Sequence, residues 1–225
     1  TRAMISKSWK ICIKGQLALM LTLLFTAGWA GDAKAGDRIN LMHQKNIGSI
    51  QWHGSSDGEG LAGTFAGVHS NSLIIAGGTA FPEGKPWEGG VKHFSDIIRV
   101  YNRMAGDSLQ EMVTGRKLPL GIGEGASATV PQGVVCIGGM TRDGLSGQVW
   151  LLSVISGGIS VAELPSLPLP LRSAAAAAIG SRVYMAGGEG PDGTSDQFMV
   201  LDVSRPDGGW RSEEHTSELQ SRQSI

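Results

Sequence analysis

Four charged side chains stand out against a background of glycine and small apolar residues: Glu88, Lys92, Glu124 and Arg172. Glu88 lies in Pro86-Trp87-Glu88-Gly89-Gly90, and Lys92 follows four residues later. A carboxylate and an ammonium at that spacing in a loop have two uses. They pair with each other at the surface, contributing about 0–1 kcal/mol, or the carboxylate exchanges a proton while the ammonium meets an anionic substrate group. Glu124 sits in the glycine-rich Leu120-Gly121-Ile122-Gly123-Glu124-Gly125-Ala126, entering a run of small residues. Its carboxylate either points into a channel or accepts from nearby backbone amides. Arg172 follows Pro170-Leu171. Its guanidinium fork suits a carboxylate, and a salt bridge between repeats is the alternative. These four are the candidate substrate-binding residues.

Other chemistries find less support. His43, His53, His69 and His93 are dispersed without metal-ligand spacing, and no nucleophile motif of the Ser-His-Asp type is present. Two cysteines occur, Cys12 and Cys136. Cys12 falls in an expected leader, so Cys136 has no intramolecular disulfide partner and is read as a small buried hydrophobe on an inner strand. The chain is 41% hydrophobic and 17% charged, which marks it as globular rather than disordered. A net charge of −1 gives no reason to expect nucleic acid or an anionic membrane surface as a partner.

The elements that must position these residues follow a recurrence. Leu73-Ile74-Ile75-Ala76 meets Gly77-Gly78, Val134-Val135-Cys136-Ile137 meets Gly138-Gly139, and Val183-Tyr184-Met185-Ala186 meets Gly187-Gly188. A second apolar run follows each pair, at Ile97–Tyr101, Val149–Leu152 and Phe198–Leu201. A strand, a glycine turn and a returning strand form the centre of a propeller blade, and the spacing of about 50 residues suits kelch-type arrays. Leu118–Gly139 and Leu167–Gly188 align without a gap at an offset of 49. Ala126 and Ala128 then match Ala175 and Ala177, one face of an inner strand. The run Ala174–Ala178 has helical propensity, but five residues between Pro170 and Gly180 cannot sustain a helix alone; a strand is expected. The fold class is therefore all-β, a partial propeller of about three to four blades. Terminal blades without neighbours expose apolar faces and strand edges, so the chain is not expected to be stable on its own.

The two ends read differently. Lys7, Lys10 and Lys14 precede the apolar Leu17–Phe25, and Ala33-Lys34-Ala35 offers small residues for cleavage. Residues 1–35 are read as a signal peptide starting at Met4. The apolar run is shorter than the roughly 20 residues a membrane anchor needs, so a periplasmic or secreted protein without a stable anchor is expected. Residues 36–210 are the incomplete propeller. Residues 211–225, beginning Arg211-Ser212-Glu213-Glu214-His215, resemble the translation of a sequencing adapter; the natural sequence is expected to be interrupted near Trp210 and the tail to lack order.

Several of these residues together resemble the kelch-repeat sialic acid mutarotases, in their cyclically permuted branch. They are Ala66-Gly67, Ala76-Gly77-Gly78 with Phe81-Pro82, Pro86-Trp87-Glu88-Gly89-Gly90 with Lys92, and Val135-Cys136-Ile137-Gly138-Gly139. The resemblance spans about Trp52 to Trp210. It implies a six-bladed propeller that interconverts the anomers of N-acetylneuraminate or a related small acidic sugar, with no organic cofactor or metal. Ring opening and closing needs one group to take the anomeric proton and another to protonate the ring oxygen. The family's acid/base segment resembles Gly-Glu-x-x-Pro-Gly-x-Arg, and nothing here matches it. Gly188-Glu189-Gly190-Pro191 begins similarly, but the residue six beyond Glu189 is Ser195. No catalytic residue is assigned; the permuted order would put that segment beyond Trp210, leaving this fragment inactive. At Glu124 relatives often carry an aromatic residue, so the chain departs from the family pattern there.

Overall fold

The computed structural model describes residues 60–105 and 108–212. The expected leader, the 36–59 stretch and the tail beyond Ser212 lie outside the described residues.

Each glycine-punctuated repeat folds into one four-stranded antiparallel sheet. In the first, β1 (Phe65–His69) pairs with β2 (Ser72–Ala76), β2 with β5 (Ile98–Arg103), and β5 with β6 (Leu109–Met112). Ser70 and Asn71, both at positive φ (48° and 62°), make the two-residue turn from β1 to β2, as a tight hairpin of right-twisted strands requires. A two-stranded extension, β3 (Thr79–Ala80) with β4 (His93–Phe94), carries the long loop. The second sheet runs β7 (Ala126–Val130), β8 (Gly133–Thr141), β9 (Gly144–Ile155) and β10 (Gly158–Leu164). The third comprises β11 (Ala175–Ile179), β12 (Arg182–Ala186), β15 (Phe198–Asp202) and β16 (Arg211–Ser212), with β13 (Glu189–Gly190) and β14 (Gly193–Thr194) as its extension. The alanine run is strand β11, and the fold is the expected partial propeller.

The middle sheet shows why its strands read as continuous apolar runs. Side chains alternate between faces along a strand. Val134, Cys136, Trp150 and Leu152 pack with Phe65, Ile74 and Val100 of the first blade. Val135, Ile137 and Val149 pack with Val183, Met185 and Leu201 of the third. A sheet with a neighbour on each side needs both faces apolar. Cys136 is fully buried and unpaired; burial pushes its thiol far up, so it packs as a hydrophobe and stays un-ionised.

Small residues let the inner strands approach. Ala126 and Ala128 are buried against the third blade, alongside Ala174, Ala176 and Ala178. Ser127 and Thr129 face the other way. The backbone N–H of Ala66 donates to Ser127 Oγ (3.3 Å), Ser127 Oγ donates to Ala66 O (2.9 Å), and Val68 N–H donates to Thr129 Oγ1 (3.3 Å). The second blade's hydroxyls thus satisfy the free edge of β1. On β11 the alanine pattern recurs, but Ala175 and Ala177 are exposed and Ile179 is 74% exposed. No described residue covers that face. Trp210 anchors the outer end of the third blade, its indole N–H donating to Pro165 O at 2.8 Å.

The glycine pairs are kinks rather than turns. Both members take positive φ in every repeat (65° and 103°, 56° and 118°, 66° and 99°), and the chain continues two residues before reversing. In the middle blade the pair lies inside β8 as a register shift between Ile137 and Gly139, the geometry of a bulge. The kink opens room for the next blade: Gly78 N–H donates to Ile122 O and Gly139 N–H to Leu171 O, each at 2.8 Å.

Candidate functional site

The residue three places before each inner strand bridges to the residue after the glycine pair. Ala62 pairs with Thr79, Gly123 with Met140, and Arg172 with Glu189. These three equivalent bridges lie at the same end of their blades. The following residue, Gly63, Glu124 or Ser173, adopts left-handed φ (61°, 62° and 55°). Glu124 N–H donates to Gly63 O at 2.8 Å, and Ser173 N–H donates to Glu124 O at 2.7 Å. A chain of backbone bonds therefore links successive blades at their rim. Glutamate in the left-handed region is uncommon, and such conformations persist where the surroundings hold them. Here the two backbone bonds do so.

Glu124 is the centre of a four-residue charge cluster. Lys92, at the end of the long loop, bonds Glu124 Oε1, and its ammonium lies 5.6 Å from the Phe94 ring centroid. Arg172 Nη1 donates to Glu124 Oε2 at 3.2 Å. The same guanidinium donates to Glu189 through Nε (3.1 Å to Oε2) and Nη2 (2.9 Å to Oε1, 2.8 Å to Oε2). Glu124 is 21% exposed and Glu189 50%, which makes Glu124 the enclosed anion and Glu189 the rim one. Burial alone would push the Glu124 carboxyl up. The hydrogen bond and charge of Lys92, with the charge and hydrogen bond of Arg172, outweigh it and hold the group below the usual carboxylate range.

That shift has a sign. A carboxylate whose folded value is depressed adds stability above its unfolded value, and that stability is lost as pH falls through the folded value. Melting temperatures of the chain should therefore fall as pH drops from about 4.3, where an ordinary glutamate is half protonated, down through the lower folded value. Glu124→Gln should flatten the slope in that window; identical slopes in melts across pH 2–6 would remove Glu124 from the cause.

Of the four sequence candidates, three meet: Lys92, Glu124 and Arg172. Glu88 does not join them. It stands exposed in the 3₁₀ turn Pro86–Glu88, and the residue four beyond it bonds Glu124 instead. Glu189 was not among the candidates. Its signal lay in the repeat: it directly follows Gly187-Gly188 and, at an offset of 49, occupies the place of Met140, the position that bridges back to the inner strand.

A cleft of about 590 Å³ is lined by Glu83, Lys92, His93, Phe94, Arg142 and Asp143 among others, within the range of small-molecule sites; of the cluster, only Lys92 lines it. Among the described residues no group of three or more His, Cys, Asp or Glu side chains could hold a metal ion, and no described helix is long and apolar enough to cross a membrane. Chemically the cluster is a carboxylate clamp, two cations converging on one carboxyl group.

No family model matches the chain. Two curated proteins are similar to parts of it. The N-acetylneuraminate epimerase of Vibrio vulnificus (strain YJ016) is 30% identical over 155 residues, 60% of this chain and 38% of that protein. The N-acetylneuraminate epimerase of Brucella melitensis biotype 1 is 31% identical over 118 residues, 48% of this chain and 29% of that protein. This chain thus matches less than two fifths of the length of either, and it is their distant relative.

Proposed function

We infer that this chain is part of a kelch-type mutarotase or epimerase acting on N-acetylneuraminate or a related acidic sugar, and that Lys92 and Arg172 hold the sugar carboxylate. The convergence of these two cations on a single carboxyl group carries the reading. Charge-assisted bonds to a carboxylate are the strong ones, and an arginine fork fixes its orientation as well. The similarity to two proteins named N-acetylneuraminate epimerase supplies the substrate class. Proton transfer at the anomeric centre is assigned to parts of the whole protein that match no segment here. Export across the inner membrane, guided by residues 1–35, belongs to the same proposal.

Saturation-transfer NMR with N-acetylneuraminate and its methyl ester tests the binding. The free acid should bind and the ester should not; equal signals would overturn the carboxylate assignment. Anomer exchange followed by NMR tests the chemistry. This chain should leave the exchange at its buffer rate, and the whole protein should accelerate it. A whole protein that gives no acceleration is not a mutarotase. One observation favours a second reading, a non-catalytic glycan-binding module: Trp87 is 78% exposed at the tip of the long loop, with Lys85 Nζ 5.6 Å from the centroid of its ring. An exposed indole offers a flat apolar surface to a ligand.

A further inference from the structure

We propose that Glu124 is a resident carboxylate: it fills the Lys92–Arg172 clamp in the free protein and is displaced when a ligand carboxylate enters. The proposal rests on the carboxylate reading of that clamp given above and adds how it is occupied. The cluster holds two cations and two carboxylates, and the place where both cations converge is occupied by Glu124. Lys92 bonds Glu124 Oε1. Arg172 commits Nε and Nη2 to Glu189 and Nη1 to Glu124. A carboxylate that engages both cations at once must therefore replace Glu124.

Glu124 is the one placed to leave. Glu189 grips the guanidinium bidentately at 2.8–3.1 Å, whereas Glu124 takes one bond from it at 3.2 Å. Glu124 also bridges both cations, so its place alone offers a newcomer both partners. Its backbone would not need to follow, because the rim bonds to Gly63 O and from Ser173 N–H run through main-chain atoms. Those equivalent positions carry Gly63 and Ser173, so this rim geometry does not require a long side chain. A glutamate placed there fills the clamp; a glycine would leave it open, and would suit φ 62° better.

The probe is acetate, titrated into the full chain and followed by amide chemical shifts. Glu124→Gly should bind acetate about tenfold or more tightly than the unaltered chain, the weight of one charge-assisted hydrogen bond. Adding Arg172→Met to that variant should abolish the gain. A folded Glu124→Gly chain that binds acetate no better than the parent would overturn the proposal and leave Glu124 as a fixed structural bridge. Should Glu124→Gly fail to fold, Glu124→Gln decides the matter. It keeps the shape and removes the charge, so its acetate affinity should rise, and no rise sinks the idea. The sugar separates this result from the functional reading. N-acetylneuraminate binding to the parent chain, with no gain for acetate in the variants, keeps the function and rejects the resident carboxylate. An acetate gain without sugar binding does the reverse.

Discussion

Gly138→Ala should destabilise the fold by roughly 2–5 kcal/mol, while the equivalent change in the next blade, Gly187→Ala, should cost only about 1–2 kcal/mol. Both glycines have left-handed φ, 56° and 66°, so both variants carry the same intrinsic cost of about 1–2 kcal/mol for an L side chain there. The difference is what a Cβ would meet. At Gly138 it would lie 2.5 Å from Leu171 O and 3.1 Å from Leu167 Cδ1; at Gly187 the nearest atom is Ser195 O at 3.7 Å. Leu171 O is also the acceptor for Gly139 N–H at 2.8 Å. The new methyl group would push apart the seam that this bond closes, adding about 1–3 kcal/mol for the buried group left unmade. Thermal melts should show Gly138→Ala lower by roughly 4–20 °C at about 2–4 °C per kcal/mol. Equal losses for the two variants would mean the glycine kink is only a local backbone requirement and not the docking point of the next blade.

Arg172→Ala should weaken N-acetylneuraminate binding about 10–100-fold, as expected for losing a charge-assisted bond of about 1.5–3 kcal/mol. Its guanidinium, held strongly protonated first by the hydrogen bonds and charge of Glu189, is the one cation that reaches both carboxylates of the cluster. Removing it leaves Glu124 and Glu189 with Lys92 alone, so the clamp loses charge as well as shape. Arg172→Lys should recover only part of the affinity, because an ammonium cannot reproduce the planar fork. The melting temperature should move little, since partly exposed ion pairs contribute about 0–1 kcal/mol. The contrast separates a binding role from a structural one. Parent-like affinity in Arg172→Ala would rule out the carboxylate clamp, and a large fall in melting temperature would recast Arg172 as a structural tie between blades.

Much of the architecture was readable from residue order alone. The apolar runs before and after each glycine pair are strands because each must bury at least one face against a neighbouring sheet, and the middle ones both faces; the 49-residue offset between the second and third repeats places equivalent residues at equivalent positions. The alanine run is a strand for the same reason: a small side chain on alternate positions is what lets β7 and β11 lie close. The glycine pairs were legible as special backbone, but their role was not. A turn and a bulge both ask for positive φ, and only the neighbouring backbone at Ile122 and Leu171 distinguishes the two.

The site divides along the same line. The sequence by itself determined which residues carry charge in an otherwise small and apolar rim, and it singled out Lys92, Glu124 and Arg172 by type and setting. It also put Lys92 and Glu88 four apart, which made them look like partners. Tertiary structure decided otherwise, because a long loop can return its last residue to a neighbouring blade while its tip stays in solvent. Lys92 is 32 residues from Glu124, and Arg172 is 48 residues from it; no local periodicity relates them. They meet because each repeat presents the start of its inner strand at the same end of the blade, and hydrogen bonds from blade to blade hold those starts side by side. Residue types were written in the chain, and their convergence on one carboxyl group is a product of how the blades stack.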